Sequence, residues 1–197
     1  MPFLDLKPGT MLSPTPVVMA STADLNGNNN IITIAWTGVV NSKPPMVYIS
    51  VKPSRHSHKA ILDTGEFVIN LVTQKLTEAA DFCGVKSGRD LDKFELCNLH
   101  PYKTQTLKYA PAIKEAPIWL ACKVNKQIAL PSHTMFIADI TEIKVKKHLL
   151  DEFGRVDYKK AQLIAYQHGE YYALADCLGF FGFSIASPDV LKRRMKK

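Results

Sequence analysis

The residues from 50 to 59 have the types and spacing best suited to bind a small ligand. They are Ser50-Val51-Lys52-Pro53-Ser54-Arg55-His56-Ser57-His58-Lys59, and they lie where a predicted strand ends and a predicted helix begins. A phosphate group is bound by hydroxyl donors, by a forked cation and by unpaired amides at a helix N-terminus. Ser50, Ser57 and Arg55 would supply the first two, so the stretch predicts a phosphate site. The alternative is that Ser57 only caps its helix and Arg55 is an ordinary surface charge.

Three further segments carry polar side chains that would suit a ligand. In residues 30–38, small and hydroxylated side chains adjoin Trp36 and suit a planar ring, although a tryptophan more often belongs to the core. In residues 67–71, Asn70 closes an apolar strand, and a heterocycle edge or a neighbouring loop would satisfy its amide. Residues 86–94 form a polar loop that either covers a ligand or is simply solvated.

The histidines and cysteines do not form a metal motif. His56 and His58 stand two residues apart at the start of a helix, where they do not share a face. The four cysteines lie far apart in the sequence without a Cys-x-x-Cys pair, and we predict free thiols in a reducing cytoplasm. They are Cys83, Cys97, Cys122 and Cys177.

The sequence contains neither a run of 18 apolar residues nor a basic segment followed by an apolar stretch at its start. We therefore expect neither a membrane span nor a signal peptide, and a cytoplasmic location.

The net charge of +7 raises the possibility of a nucleic-acid partner. However, residues 184–197 contain five basic side chains and one acidic one, so this tail carries +4 of that charge. Basic residues do not alternate with aromatic ones on any predicted strand, which argues against nucleic acid. We expect a solvated tail, and a basic module that binds nucleic acid through residues 192–197 is kept as the alternative.

Period-two patterns and β-branched clusters dominate the sequence and predict seven strands. These strands are residues 17–21, 31–36, 46–51, 67–71, 118–130, 135–145 and 170–174. Two helices are predicted, over residues 57–63, ending at Gly65, and over residues 73–82, ending at Gly84.

This content predicts a mainly β protein with inserted helices. A closed or nearly closed antiparallel barrel is favoured because closure removes exposed edges, and a sandwich is the alternative. One domain over residues 1–183 is expected, followed by the basic tail at 184–197.

Taken in order, these segments resemble the flavin reductase-like family of FMN-binding split barrels, which includes the flavoredoxins. The resemblance covers residues 16–174. The matching features include Asn-x-x-Thr-x-Ala-Trp at residues 30–36, the Pro44-Pro45 pair, Ser50 with Arg55-x-Ser57, and Phe-x-x-Asn-Leu at 67–71. Further along are Ser87-Gly88 with Asp92-Lys93-Phe94, Ala116-Pro117 and Gly169-Glu170-Tyr171-Tyr172.

The resemblance implies a role for each matched position. The FMN phosphate would be held by Ser50, Arg55 and Ser57, with Val51 and His56 beside it. The isoalloxazine would face Asn30, Thr33, Ala35, Trp36 and Thr37, largely through backbone groups. Its edge or the ribityl chain would meet Asn70 and Leu71, and the covering loop would comprise Lys86, Ser87, Asp92, Lys93 and Phe94.

The resemblance also implies a flavin-dependent oxidoreductase, with NAD(P)H as a transient substrate or a redox protein as partner, and a homodimer. Many flavin reductases have Gly-Asp-His where this chain has Pro131-Ser132-His133, so only the histidine matches. His133 is therefore either a catalytic residue that contacts the nicotinamide or a structural residue bonded to a strand end. The sequence lacks the Gly-x-Gly-x-x-Gly fingerprint, so a nicotinamide would bind transiently rather than in a dedicated domain.

Overall fold

The computed structural model describes residues 2–195, and antiparallel β-structure dominates it. The strands are β1 (Thr15–Pro16), β2 (Val18–Ala23), β3 (Asn29–Ile34), β4 (Thr37–Ser42), β5 (Pro45–Val51), β6 (Glu66–Leu71), β7 (Pro101–Tyr102), β8 (Ala112–Ile113), β9 (Ile118–Ala129), β10 (Thr134–Val145), β11 (Ile164–Gln167) and β12 (Glu170–Ala173). The helices are α1 (His56–Thr64), α2 (Thr77–Val85), α3 (Lys93–Leu96), α4 (Tyr158–Ala161) and α5 (Pro188–Arg194).

Seven strands form the main sheet, in the order β3-β2-β6-β9-β10-β5-β4, and all neighbours are antiparallel. The Ser50 N–H in β5 donates to the Trp36 carbonyl, just after β3, over 2.9 Å. Trp36 belongs to the two-residue link between β3 and β4, which are the two margins of the sheet, so the sheet curls into a barrel. The mainly β barrel with inserted helices is confirmed. Two small sheets, β1-β11-β12 and β7-β8, accompany it.

The core has two main parts because β2 is buried on both faces. Val18 and Ala20 point into the barrel, where they pack with Phe67 and Phe136. Met19 points the other way, into a second cluster with residues of α2 and α3. This alternation follows from the two-residue repeat of a strand. The second cluster fixes α2 and α3 against the outside of the barrel.

The first helix ends where the sequence predicts. Gly65 has a φ of 67° and its N–H bonds to the Ile61 carbonyl, a left-handed C-terminal cap that glycine adopts without strain.

The predicted end of the second helix at Gly84 is wrong, because α2 continues to Val85 and is capped by Lys86. A Cβ placed on Gly84 would lie 3.3 Å from the Thr33 Cβ. Gly84 therefore serves close packing of α2 on β3 rather than helix termination.

None of the described helices has the length and apolar character needed to cross a bilayer. The predicted boundary at residue 183 stays a prediction. Part of the predicted basic tail forms α5, and the Arg194 guanidinium lies 4.0 Å from the centre of the Phe180 ring. Lys196 and Lys197 lie outside the described residues.

Candidate functional site

A groove runs along the outside of the barrel between β3, the end of β5 and α2. It consists of two adjoining cavities of about 320 and 260 Å³. Ile32, Lys52 and Arg55 line both, which makes the groove continuous. We call the larger cavity the aromatic cavity, because Trp36, Tyr166 and Tyr171 line its wall. We call the smaller one the cationic cavity, because five basic side chains line it.

The cationic cavity is lined by five basic side chains and by no carboxylate. The basic residues are Lys52, Arg55, Lys86, Arg89 and Lys93. Within residues 2–195, none of the five takes part in a salt bridge. Three serine hydroxyls, those of Ser54, Ser57 and Ser87, line the same cavity. This donor set matches an anion with several oxygen atoms.

Lys93 is the most deeply placed of these cations, with 3% of its surface exposed. Its Nζ donates to the carbonyls of Ile31 and Cys83, each over 2.8 Å. An ammonium group has three donors, so one remains for the cavity. Burial lowers the pKa of Lys93, and the nearby Arg55 charge lowers it further, while Cys83 raises it. A bound anion would offset both unfavourable effects.

Ser57 lies inside α1 rather than at its start. Arg55 is the N-cap residue of α1 and its side chain makes no capping bond, which excludes the interpretation of Ser57 as the cap. The buried Ser57 hydroxyl instead accepts from the Asn30 Nδ2 at 2.7 Å. Strand β3 and helix α1 are therefore tied together at the floor of the cationic cavity.

The loop after α2 closes over this floor. A Cβ placed on Gly88 would lie 2.0 Å from the Asn30 Oδ1, so only glycine permits this approach. The Arg89 Nη2 donates to the Ser54 carbonyl at 3.0 Å, which links the loop to the segment before α1. Asn30 thus contacts both the loop and Ser57.

The aromatic cavity has Trp36 and His133 on one side. Their ring centres are 4.5 Å apart, and 44% of the Trp36 surface is exposed. The His133 Nδ1 is 2.8 Å from the Ser132 hydroxyl. Burial lowers the pKa of His133 and the positive charge of Lys52 lowers it further, so the ring is neutral at pH 7.

Two tyrosines and a carboxylate form the opposite side. The rings of Tyr166 and Tyr171 meet edge to face at 5.4 Å, and the Tyr171 hydroxyl donates to the Asp81 Oδ1 at 3.1 Å. Burial and the Asp81 carboxylate raise the pKa of Tyr171 to about 12. The groove therefore has a cationic end and an end of neutral aromatic rings beside one carboxylate.

Comparison with known proteins identifies the family of the chain. The family model described as flavin reductase like domain matches residues 10–175. The chain belongs to this family. Its mainly β structure is accordingly the split barrel of the flavin reductases, and a flavin-linked redox role follows at the level of the family.

Several relatives cover nearly the whole chain. An uncharacterized protein of Aquifex aeolicus is 32% identical over 170 residues, which are 84% of this chain and 86% of that protein. The flavoredoxin of Desulfovibrio vulgaris (Miyazaki F) is 30% identical with a TM-score of 0.86, covering 92% of this chain and 98% of that one. The flavoredoxin of Methanosarcina acetivorans is 26% identical with a TM-score of 0.83, covering 93% and 100%.

The structure of this flavin reductase-like chain brings most of the predicted site residues together. Thirteen line the groove: Asn30, Thr33, Ala35, Trp36, Ser50, Val51, Arg55, His56, Ser57, Lys86, Ser87, Lys93 and His133. They come from β3 and the two residues after it, β5, the start of α1, the loop after α2, the start of α3 and the turn before β10. Their roles toward FMN remain predictions.

Five predicted site residues do not line the groove. Asn70 is fully buried, where its Nδ2 donates to the Met19 carbonyl and its Oδ1 accepts from the Ile113 N–H. Leu71 packs against the core, and the Thr37 hydroxyl donates to the Tyr48 carbonyl. Asp92 caps α3 by accepting from two backbone N–H groups, and Phe94 lies in the second core cluster. In these positions each has a structural partner already.

Sequence reasoning missed several groove residues. Lys52 and Ser54 lie within the stretch that predicts the phosphate site, and Arg89 lies in the predicted loop, but none of the three was assigned a role. No sequence pattern marks Asp81 or Tyr166 as a site residue, because the packing of α2 and β11 brings them to the groove. Only the spatial arrangement of these elements reveals them.

Proposed function

We propose that the groove binds FMN and that the protein is an FMN-dependent oxidoreductase, which passes reducing equivalents to a second flavin or a redox protein. The observation that carries this proposal is the buried Lys93 ammonium in a cavity of five cations without a carboxylate. A buried charge without a partner is costly, and a phosphate group would supply the partner. Family membership supports a flavin as the molecule that carries that phosphate.

The cationic cavity would hold the phosphate. Arg55 offers a forked guanidinium, Lys93 offers its third proton and Ser57 offers a hydroxyl. Arg55 also stands at the start of the nine-residue helix α1, whose first backbone N–H groups favour an anion. Arg55, Ser57 and these N–H groups belong to the start of α1, and Lys93 belongs to α3, so the phosphate would fix the relative positions of two separate elements.

The aromatic cavity would hold the ring system against β3. This strand is at the margin of the main sheet, so one row of its N–H and C=O groups is not used by a neighbouring strand. The Ile31 carbonyl in that row accepts from Lys93, and by the two-residue alternation the backbone of Thr33 faces the same way. Backbone N–H groups over residues 33–37 would then stabilise negative charge on the reduced ring.

FMN, when bound, supplies the redox chemistry by accepting and returning electrons. The side chains around it bind and orient. Burial lowers the pKa of His133, and its ring lies against Trp36 with the centres 4.5 Å apart, so we assign His133 to positioning Trp36 in the cavity wall rather than to proton donation. The donor of electrons is NAD(P)H in a reductase and a redox protein in a carrier of the flavoredoxin type.

We also propose a homodimer. The segment after β12 exposes large apolar side chains, among them Leu178, Phe181 and Ile185. The segment before β1 exposes Phe3 and Leu4 in the same way. Apolar side chains exposed in series mark an interaction surface, and a second copy of the chain is the partner implied by the resemblance.

The test is the visible absorption spectrum of the purified protein, recorded without air before and after addition of NADH or NADPH. A flavin spectrum bleached by a nicotinamide supports a reductase, whereas one bleached only by dithionite supports a carrier fed by a protein. A colourless protein that also fails to bind added FMN would overturn the proposal.

The variant Arg55→Ala tests the phosphate assignment. We expect FMN affinity to fall about tenfold to a hundredfold, because a charge-assisted hydrogen bond is lost. Titration of bound flavin fluorescence measures this. Riboflavin lacks the phosphate, and its affinity should stay unchanged; equal FMN affinity in both proteins would exclude the assignment.

A further inference from the structure

The cationic cavity contains more positive charge than one FMN phosphate requires. A phosphate monoester carries about two negative charges at neutral pH. Arg55 and the buried Lys93 are close enough for the Arg55 charge to act on the ammonium, and together they match that charge. Lys52, Lys86 and Arg89 remain, and all three are exposed.

These three cations lie around the mouth of the cavity. Lys52 lines both cavities, between the aromatic end and the phosphate end of the groove. Lys86 is the C-cap residue of α2, and the Arg89 guanidinium is held at the mouth by its bond to the Ser54 carbonyl. That bond uses one of the five donors of the guanidinium and leaves its others for an anion.

Like charges gathered without counter-ions repel one another, and the described residues supply no carboxylate to the cavity. Some exposed lysines of the chain pair with an acidic neighbour, as Lys59 does with Asp63 and Lys159 with Asp176. Within residues 2–195 none of the three forms a salt bridge, and the one carboxylate that lines the groove, Asp81, lies in the aromatic cavity, where it accepts from the Tyr171 hydroxyl. The arrangement therefore favours a second anionic group, in addition to the phosphate of the flavin.

We propose that Lys52, Lys86 and Arg89 form a second phosphate subsite, which binds the 2′-phosphate of NADPH while FMN occupies the groove. This inference rests on the proposed function and names its electron donor. NADPH differs from NADH only in that phosphate monoester, which an arginine fork and lysines recognise. The nicotinamide would reach the open side of the aromatic cavity, next to Trp36, while the 2′-phosphate meets the cations at the mouth.

The experiment uses the FMN-loaded protein and two fragments, adenosine 2′,5′-bisphosphate and 5′-AMP. Binding is measured by calorimetry at low and at physiological salt. We expect the bisphosphate to bind about tenfold more tightly, and the advantage to shrink as salt rises, because exposed charges are screened. Equal affinity for the two fragments overturns the proposal.

Three variants locate the subsite. Lys86→Gln and Arg89→Gln each remove one charge at the mouth, and each should reduce the preference for the bisphosphate threefold or more. Lys103→Gln removes the same charge at an exposed position that lines neither cavity, and should leave the preference intact. A preference that survives both mouth variants also overturns the proposal.

Kinetics give a second readout. The ratio of kcat/KM for NADPH to that for NADH should exceed one in the wild-type protein and fall in the same two variants. The flavin spectrum of each preparation shows whether FMN is bound, and so distinguishes failure of the second subsite from failure of the proposed function. A protein with bound FMN and no preference refutes the second subsite alone, whereas a protein unable to bind FMN refutes the proposed function and this inference with it.

Discussion

The ammonium group of Lys93 is buried, and among the described residues no carboxylate pairs with it. Its two bonds to carbonyls of β3 and α2 hold it in a fixed position. We therefore expect Lys93→Met, which keeps an unbranched side chain one atom shorter and removes the charge, to lower FMN affinity about tenfold to a hundredfold.

The measurement is a fluorescence titration with FMN and, in parallel, with riboflavin. Only FMN affinity should change, because riboflavin has no phosphate for the ammonium to meet. An equal loss for both flavins would mean that Lys93 acts on the fold of the groove rather than on the phosphate.

His58 illustrates a buried titratable residue outside the groove. Its Nε2 is 2.9 Å from the Thr134 hydroxyl, and its ring meets Phe136 edge-on at 5.5 Å. Burial lowers the pKa of His58 below its ordinary value of 6.5. The unfolded chain therefore binds a proton at a higher pH than the folded chain does, and stability is full above pH 6.5 and falls as the pH drops below it.

We expect His58→Gln to lose part of this dependence on pH. Denaturant unfolding at pH 7.5 and pH 5.5 gives the two free energies of unfolding, and their difference should be smaller in the variant than in the wild-type protein. His168→Gln, at an exposed position, is the control. A difference that is the same in all three proteins would contradict the assignment.

At the level of elements, the loop after α2 covers the cationic cavity and depends on Gly88. Any side chain at this position would collide with the Asn30 amide, which also donates to Ser57. We expect Gly88→Ala to displace the exposed loop rather than the core, and to weaken FMN binding on the order of tenfold.

Thermal unfolding without flavin should change little in Gly88→Ala, which distinguishes a local displacement from general destabilisation. Gly9→Ala is a suitable control because its nearest neighbour would be 3.9 Å from the added Cβ. Unchanged FMN affinity in Gly88→Ala would show that the loop need not contact Asn30 for binding.

The elements most visible in the sequence are those with a buried face. The alternation of apolar residues in β5 and the apolar runs of β6 and β9 predict these strands within one or two residues. Strand β4 was missed because its end, residues 39–42, is exposed and carries no periodic apolar pattern. Strand β11 was missed as well; only one of its four residues is buried, so it shows no apolar alternation.

The site residues divide in the same way, into those that the sequence pattern indicates and those that only the packing reveals. Arg55, Ser57 and the neighbouring hydroxyls are close in sequence, so their types and spacing predicted a phosphate site. Lys93 was assigned through the resemblance alone, since its burial depends on the packing of α3 against β3. The lone amide of Asn70 predicted a partner in either a heterocycle edge or the protein, and only the resemblance assigned it to the flavin. In the structure the Met19 carbonyl and the Ile113 N–H are its partners.

At the level of the whole molecule, the two ends of the described chain differ from the barrel between them. Residues of the two main core clusters extend no further than Tyr171, whereas the segment after β12 is mostly exposed. Within it, the Phe180 ring contacts both the Phe183 ring and the Arg194 guanidinium, so the segment has some internal order. A segment that is ordered and apolar, but uncovered, is suited to pack on another surface.

The homodimer makes this surface testable. Phe181 is fully exposed and Ile185 is 90% exposed, so neither supports the fold of its own chain. We expect the wild-type protein to sediment as a dimer, and the double variant Phe181→Asp, Ile185→Asp to shift toward the monomer, because two charges would have to be buried at the interface. Analytical ultracentrifugation over a range of concentrations measures the equilibrium between monomer and dimer.

The control is Leu25→Asp, at an exposed apolar position in the turn between β2 and β3, which should leave this equilibrium unchanged. A monomeric wild-type protein would exclude the dimer. A dimer unaffected by the double variant would show that the partner contacts the barrel instead, since the segment after β12 would then contribute nothing to association.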